Sequence, residues 1–305
     1  MDSQQQTLVI WIIDDGKPGH RNQSLGLAEA IVRQHGAIIE TIVLPKEGGF
    51  FSRMRALHQQ GKKLTKPGLI IGAGHRTHIP LIYLAHQMGA RSLVLMRPSL
   101  PCAWFDHCLI PEHDFAEGRL IPANVILTKG ALNRVTYDPS IKDGSGLFLI
   151  GGESKEFEFD GETLASAIGE IVTHYPDTKW SITDSRRTPE GFLDSLKDVQ
   201  MSAFPHQQTD ADWLPAHLSS AIMVWVTEDS VSMIYEALSS GAQVGLLPMP
   251  RKSEAGRVAR GVKGLIEEGL LCGYEAWQAS HEMSQGEAAF AEAEHCAAAV
   301  IKDLD

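Results

Sequence analysis

Leu8–Ile13 is an unbroken apolar run that stops at a polar, glycine-rich turn, Asp14-Asp15-Gly16-Lys17-Pro18-Gly19-His20. A run this short, apolar at every position, suits a strand covered on both faces, as in a parallel sheet. The segment after it sets Leu25, Ala28, Ile31, Val32 and His35 on one helical stripe. Strand then helix recurs along the chain, with further strands expected at 38–44, 68–71, 92–96, 107–110 and 124–128. The pattern pauses at Asp138–Gly146, a polar stretch with proline and glycine, and restarts at Leu147–Ile150. Helices are expected over 162–175 and 230–240, and strands at 179–183, 221–227 and 244–248. Phe290, Ala293, Ala297, Val300 and Leu304 recur at helical spacing near the end. This alternation predicts an α/β protein of two doubly wound, Rossmann-type halves, facing across a cleft at the carboxyl ends of their strands. The expected domains are 1–142 and 143–305, with the last helix, about 286–304, expected to pack back on the N-terminal domain.

The net charge of −11 over 305 residues argues against non-specific nucleic-acid binding, so no nucleic-acid partner is expected. A local basic pocket for an anionic ligand remains compatible with it. Cys102, Cys108, Cys272 and Cys296 form no Cys-x-x-Cys pair, which points to reduced thiols in a cytoplasmic protein rather than a zinc or disulfide framework. The start of the chain does not read as a signal peptide, and no stretch reaches the roughly 20 apolar residues of a membrane span. Gly-x-Ser-x-Gly and His-Glu-x-x-His are both missing from the sequence, which speaks against an esterase and a zinc protease.

The C-terminal half holds the expected donor site. The strand at 221–227 ends in polar residues, and a helix starts near Ser230. Free amides at Ser230, Val231 and Ser232, with the helix dipole behind them, suit a phosphate. Glu236, about one and a half turns on, suits ribose hydroxyls. A plain capped helix ending at Gly241 would give the same pattern. Gly151-Gly152-Glu153-Ser154-Lys155 follows another strand; its glycines let a backbone approach a ligand, while Ser154 and Lys155 add a donor and a charge. A simple turn reads the same way. Arg186 and Arg187 close a further strand end, as phosphate contacts or as a solvated turn. Asp210-Ala211-Asp212 and Asp303-Leu304-Asp305 match the Asp-x-Asp of metal-dependent transferases, but such short pairs arise by composition alone; no metal is expected.

The N-terminal half holds the expected acceptor side. Gly16, Lys17 and Gly19 make a loop ending in His20, a group that titrates near neutrality and suits a general base. A tight turn capped by a histidine is the plainer alternative. Gly74, His75 and Arg76 follow a second strand, Arg97 a third, and Glu112-His113-Asp114 a fourth.

Together these segments resemble the Elm-type mitochondrial-fission family, whose bacterial members are often labelled nucleoside-diphosphate-sugar epimerases. The resemblance rests on Asp15–His20, Asn22–Ser24, Gly72–Arg76, Arg97–Ser99, Pro111–Asp114, Thr128–Gly130, Asn133-Arg134, Gly151–Lys155, Thr183–Pro189 and Thr227–Gly241. The order of motifs is more distantly similar to the lipid-linked N-acetylglucosaminyltransferase of peptidoglycan synthesis, a GT-B glycosyltransferase. That likeness implies a metal-independent glycosyltransferase without a cofactor, with a nucleotide-sugar as substrate, a ribose contact at Glu236 and a phosphate loop at Gly151–Ser154. Pro18 and Glu153 depart from the pattern, which leaves the acceptor open, a lipid-linked molecule of the cell envelope among the candidates. An epimerase on the same fold would recruit Asp14, Asp15, Glu112 and Asp114. A non-catalytic scaffold is the third reading.

Gly49–Leu64 sets Phe50, Phe51, Met54 and Leu57 on one helical face, with Arg53, Arg55, Lys62 and Lys63 crowded beside them. This suits peripheral contact with the inner face of an anionic membrane. An amphipathic helix packed on its own domain would share the pattern, and burial of both phenylalanines would distinguish it.

Overall fold

The computed structural model describes residues 7–114, 120–252, 257–283 and 290–304. The chain forms two compact units, 1–134 with 292–305, and 135–291. The boundary lies upstream of the expected 142/143. Val135 joins the core of the second unit, and the Ser219 hydroxyl donates to Thr136 O there.

Among the described residues, the first unit carries a parallel sheet of β1 (Leu8–Asp14), β2 (Ala37–Val43), β3 (Leu69–Ala73), β4 (Arg91–Leu95), β5 (His107–Pro111) and β6 (Val125–Thr128), in the order β2-β1-β3-β4-β5-β6. The apolar run of β1 is divided by the pleat. Ile10 and Ile12 face one core with α1 (Pro18–His35) and α9 (Glu292–Lys302), while Val9, Trp11 and Ile13 face a second with α2 (Phe50–Gly61) and α3 (His78–Met88). Side chains fully buried on both faces contribute roughly 1.5–3 kcal/mol each, which explains why polar residues are confined to the strand ends. α9 lies in the first unit, with Ala293, Cys296, Ala297 and Val300 in the core beside α1. Of the expected last helix, 286–289 lie outside the described residues, as does Asp305.

The second unit repeats the plan with β7 (Gly146–Leu149), β8 (Trp180–Thr183), β9 (Ser202–Phe204), β10 (Met223–Thr227), β11 (Gln243–Leu247) and β12 (Cys272–Gly273), in the order β12-β11-β10-β7-β8-β9. α4 (Gly161–His174), α5 (Trp213–Ser220), α6 (Val231–Ser239), α7 (Arg257–Glu267) and α8 (Tyr274–Ser280) accompany it. In each sheet one central pair is not consecutive in the chain: β1 with β3, and β7 with β10. At such a switch point the two following loops diverge and leave a crevice, the usual ligand position in this architecture. No helix among the described residues is long and apolar enough to cross a membrane.

Candidate functional site

The loops after β1 and β3 meet at the first unit's switch point. Gly16 turns the chain at φ +82°, a conformation that L side chains avoid, and its amide donates to Asp14 Oδ1 at 2.8 Å. Pro18 then opens α1 at the position where its missing N–H costs nothing. Lys17 and Gly19 are exposed beside it. His20, in the first turn, directs Nδ1 at Asp15 Oδ2 at 3.0 Å. Asp15 is buried, and its other oxygen accepts the Lys17 amide at 3.1 Å. Donation from Nδ1–H to the carboxylate leaves Nε2 as the basic nitrogen. Beneath the ring lies Gly74, at φ +81°; a Cβ there would stand 2.2 Å from His20 Cε1. Sequence reasoning selected His20 and Gly74 separately. It missed the orienting role of Asp15, given as part of the family motif and as a carboxylate for an epimerase; an aspartate just upstream of a helix-opening histidine was the available signal.

The other acceptor-side residues are more scattered. His75 is exposed and Arg76 half-buried, lining a small cavity with Phe50 and Ile79. Arg97 is exposed and donates to Asp114 O at 2.7 Å. Just before it, Met96 sits at φ 66°, an uncommon conformation for this residue type, and its sulfur receives Gln23 from α1. Arg134 is held by Glu29 of α1, with Nε and Nη2 each 3.0 Å from Oε1. The side chain of His113 lies outside the described residues.

At the second unit's switch point the structure corrects the expected phosphate loop. The Gly151 amide donates to Thr227 Oγ1 at 2.7 Å and the Gly152 amide to Asp229 Oδ2 at 3.2 Å, so neither points at a ligand. Both residues are glycine because the chain itself fills the space. A Cβ on Gly151 would meet the Asp229 carboxylate at 2.2 Å, and one on Gly152 would meet Arg187 O at 2.0 Å. Ser154 uses its hydroxyl to accept the Glu156 and Phe157 amides, shaping a turn. Lys155 and Arg186 are exposed. Arg187, rather than Arg186, reaches inward to pair with Asp229 and to donate to Gly152 O. The Asp229 side chain is wholly buried, and its Oδ1 has no hydrogen-bond partner among the described residues.

Next to this plug α6 begins. Ser230 is buried, and its carbonyl starts the helix by accepting Ile234 N–H; its amide, expected free for a phosphate, instead donates to Thr227 O at 3.3 Å. The first-turn amides of Val231 and Ser232 have no intrahelical acceptor, as at any helix start. Glu236 follows half-buried in the second turn. Further along the same edge Asp184 receives both the amide and Nδ1 of His206, at 2.6 and 2.9 Å, a second Asp–His pair that the sequence reading did not find.

A family model described as "Mitochondrial fission ELM1" matches residues 18–304. An uncharacterized protein, RP120, of Rickettsia prowazekii is 26% identical over 76% of this chain and 81% of its own length. Among solved structures, S. aureus MnaA with UDP superposes at a TM-score of 0.54, with 13% identity, over 97% of this chain and 96% of that one. UDP-GlcNAc 2-epimerase of Neisseria meningitidis, bound to UDP-GlcNAc, gives 0.51 at 12% identity, over 97% and 99%. UGT2 of Phytolacca americana, complexed with UDP-2fluoro-glucose and pterostilbene, gives 0.50 at 11% identity, over 98% and 90%. At such identities the likeness shows the fold, that of the GT-B class.

Proposed function

Because the chain belongs to the mitochondrial fission ELM1 family and has a GT-B-like fold, we propose that it is a glycosyltransferase acting on a nucleoside-diphosphate sugar. The Asp15–His20 pair carries this reading. Asp15 fixes the ring so that Nε2 takes the proton of an acceptor hydroxyl while its oxygen attacks the anomeric carbon. The bond from that carbon to the diphosphate oxygen breaks, and the nucleoside diphosphate leaves with the bonding electrons.

The donor belongs to the second unit in this reading. The amides of Val231 and Ser232 and the α6 dipole receive the phosphates, and Glu236 receives the ribose hydroxyls. Lys155 and Arg186, both exposed, supply positive charge toward the leaving group. This preorganised positive end takes the part that a metal plays elsewhere, so the proposed reaction is metal-independent. Gly151 and Gly152 act indirectly, by seating Asp229 and Arg187. The proposed acceptor is a hydroxyl of a cell-envelope glycoconjugate, lipid-linked in kind.

An epimerase would need carboxylates free to flank the sugar. Asp15 has both oxygens in hydrogen bonds, and Asp14 accepts the Gly16 amide with one and stands 3.9 Å from Arg21 with the other. Glu112, the third candidate, is exposed, so product analysis rather than carboxylate geometry separates the two readings. A panel of nucleotide-sugars tests the proposal. Binding should raise the melting temperature of wild type and His20→Ala alike, while turnover should fall in the variant alone. Unchanged turnover in His20→Ala would remove the base from the mechanism.

A further inference from the structure

The first turn of α2 presents two aromatic rings to solvent. Phe50 is 53% exposed and Phe51 85%, packed edge to face with centroids 5.5 Å apart. The later turns of the same stripe are anchored: Leu57 is fully buried, and a Cβ on Gly61 would press on Trp11 at 2.9 Å. The later turns thus fix α2 in place, and its first turn carries the two rings beyond the packed part of the stripe. Ile79 of α3, 50% exposed, extends the same patch. Between them Leu44, Met54 and Pro80 line a cavity of about 220 Å³ with Arg53, His75 and Arg76 at its wall.

The charge of the segment that carries the rings runs against the rest of the chain. From Lys46 to Lys66 there are six lysines and arginines and one acid, Glu47, in a protein of net −11. The Nε of Arg53 donates to Gly48 O, which holds that guanidinium beside the rings.

We propose that the α2 face and the start of α3 form a docking surface for a bilayer rich in anionic lipid. The rings enter the headgroup boundary, and the cations meet the lipid phosphates. A second copy of this chain fits the patch poorly. A symmetric dimer through it would bring the same cations face to face. Gly74, which lies under His20, is followed directly by His75 and Arg76 of the cavity, so docking here brings the bilayer to the loop that supports His20. The docking itself does not depend on the transferase reading.

Vesicle flotation tests it, using phosphatidylglycerol–phosphatidylcholine vesicles, phosphatidylcholine vesicles and two variants. These are Phe50→Ser/Phe51→Ser and Arg53→Glu/Arg55→Glu/Lys62→Glu/Lys63→Glu. All the substituted side chains are exposed or half-buried, so both variants should keep the wild-type melting temperature and circular dichroism. Wild type should float with the anionic vesicles at low salt, and each variant should bind roughly tenfold more weakly or worse. High salt should weaken wild-type binding. No flotation at low salt would overturn the proposal. So would binding that ignores the phenylalanines, or equal binding to neutral vesicles. A concentration-dependent dimer in light scattering that the phenylalanine variant dissolves would put a second copy on the face instead.

Discussion

His20 Nδ1 lies 3.0 Å from Asp15 Oδ2, and the carboxylate it faces is buried. The pair therefore has one orientation to offer, with Nε2 outward. Asp15→Asn should leave donor affinity unchanged in calorimetry and lower kcat by roughly 10²–10⁴, the range for losing an oriented general base. Loss of donor binding together with kcat would show that Asp15 serves the local fold instead.

Gly74→Ala should disable the same site from below. The new methyl would stand 2.2 Å from His20 Cε1 on a backbone at φ +81°. The ring must move, and an alanine in this essentially glycine-only backbone region adds about 1–3 kcal/mol of instability. Turnover near that of His20→Ala, with a modest fall in the urea midpoint, is the expected result. Wild-type turnover would mean that the ring position does not matter.

The Asp229–Arg187 pair predicts a stability effect in the second unit. Removing a partner from a fully buried ion pair costs about 3–5 kcal/mol. The Arg187 side chain is 43% exposed, so Arg187→Ala should cost less, on the order of 1–3 kcal/mol by denaturant unfolding. Asp229→Asn in that background should recover part of it, because the orphaned charge is then gone. A double variant less stable than Arg187→Ala would contradict this.

Much of the fold was legible, and its gaps have physical causes. Strands buried on both faces, such as Leu8–Asp14 and Met223–Thr227, announce themselves as apolar runs. The edge strands of the second unit do not. Ser202–Phe204 is largely exposed and Cys272–Gly273 is two residues long, so neither carries a pattern. At the candidate site, His20 stands out in the sequence because one loop displays it. Asp229 was not, since its partners Gly152 and Arg187 reach it only through the β7–β10 adjacency. The Gly-Gly turn was open to both a ligand cradle and a simple turn, because glycine marks close approach without saying what approaches. In α2, Leu57 faces the core as the helical stripe implied, whereas Phe50 and Phe51, on the same stripe, do not.

The thiols divide cleanly. Burial, with Glu292 adding to it, pushes Cys296 up to about 12, and burial followed by the neighbouring Cys102 pushes Cys108 up to about 12. Of the four cysteines, Cys102 is partly exposed and the others are buried. Iodoacetamide on native protein at pH 8 should give one adduct, at Cys102, by peptide mass mapping. Unfolded thiols ionise near 8.5. Above that the unfolded chain loses protons that the folded one keeps, so this contribution is intact at lower pH and is lost as pH rises toward 12. The urea midpoint of Cys296→Ala should fall less steeply with pH above 9 than that of wild type.

In the proposed reaction this chain breaks the bond between a sugar and a nucleoside diphosphate. Incubating the protein with a nucleotide-sugar that it binds, without any acceptor, and resolving the products by anion-exchange chromatography and NMR tests that claim most directly. Slow release of nucleoside diphosphate and free sugar by wild type, with much less from His20→Ala, is the predicted result. An isomerised nucleotide-sugar would make the protein an epimerase, and an intact donor after prolonged incubation at saturation would make it a binding scaffold.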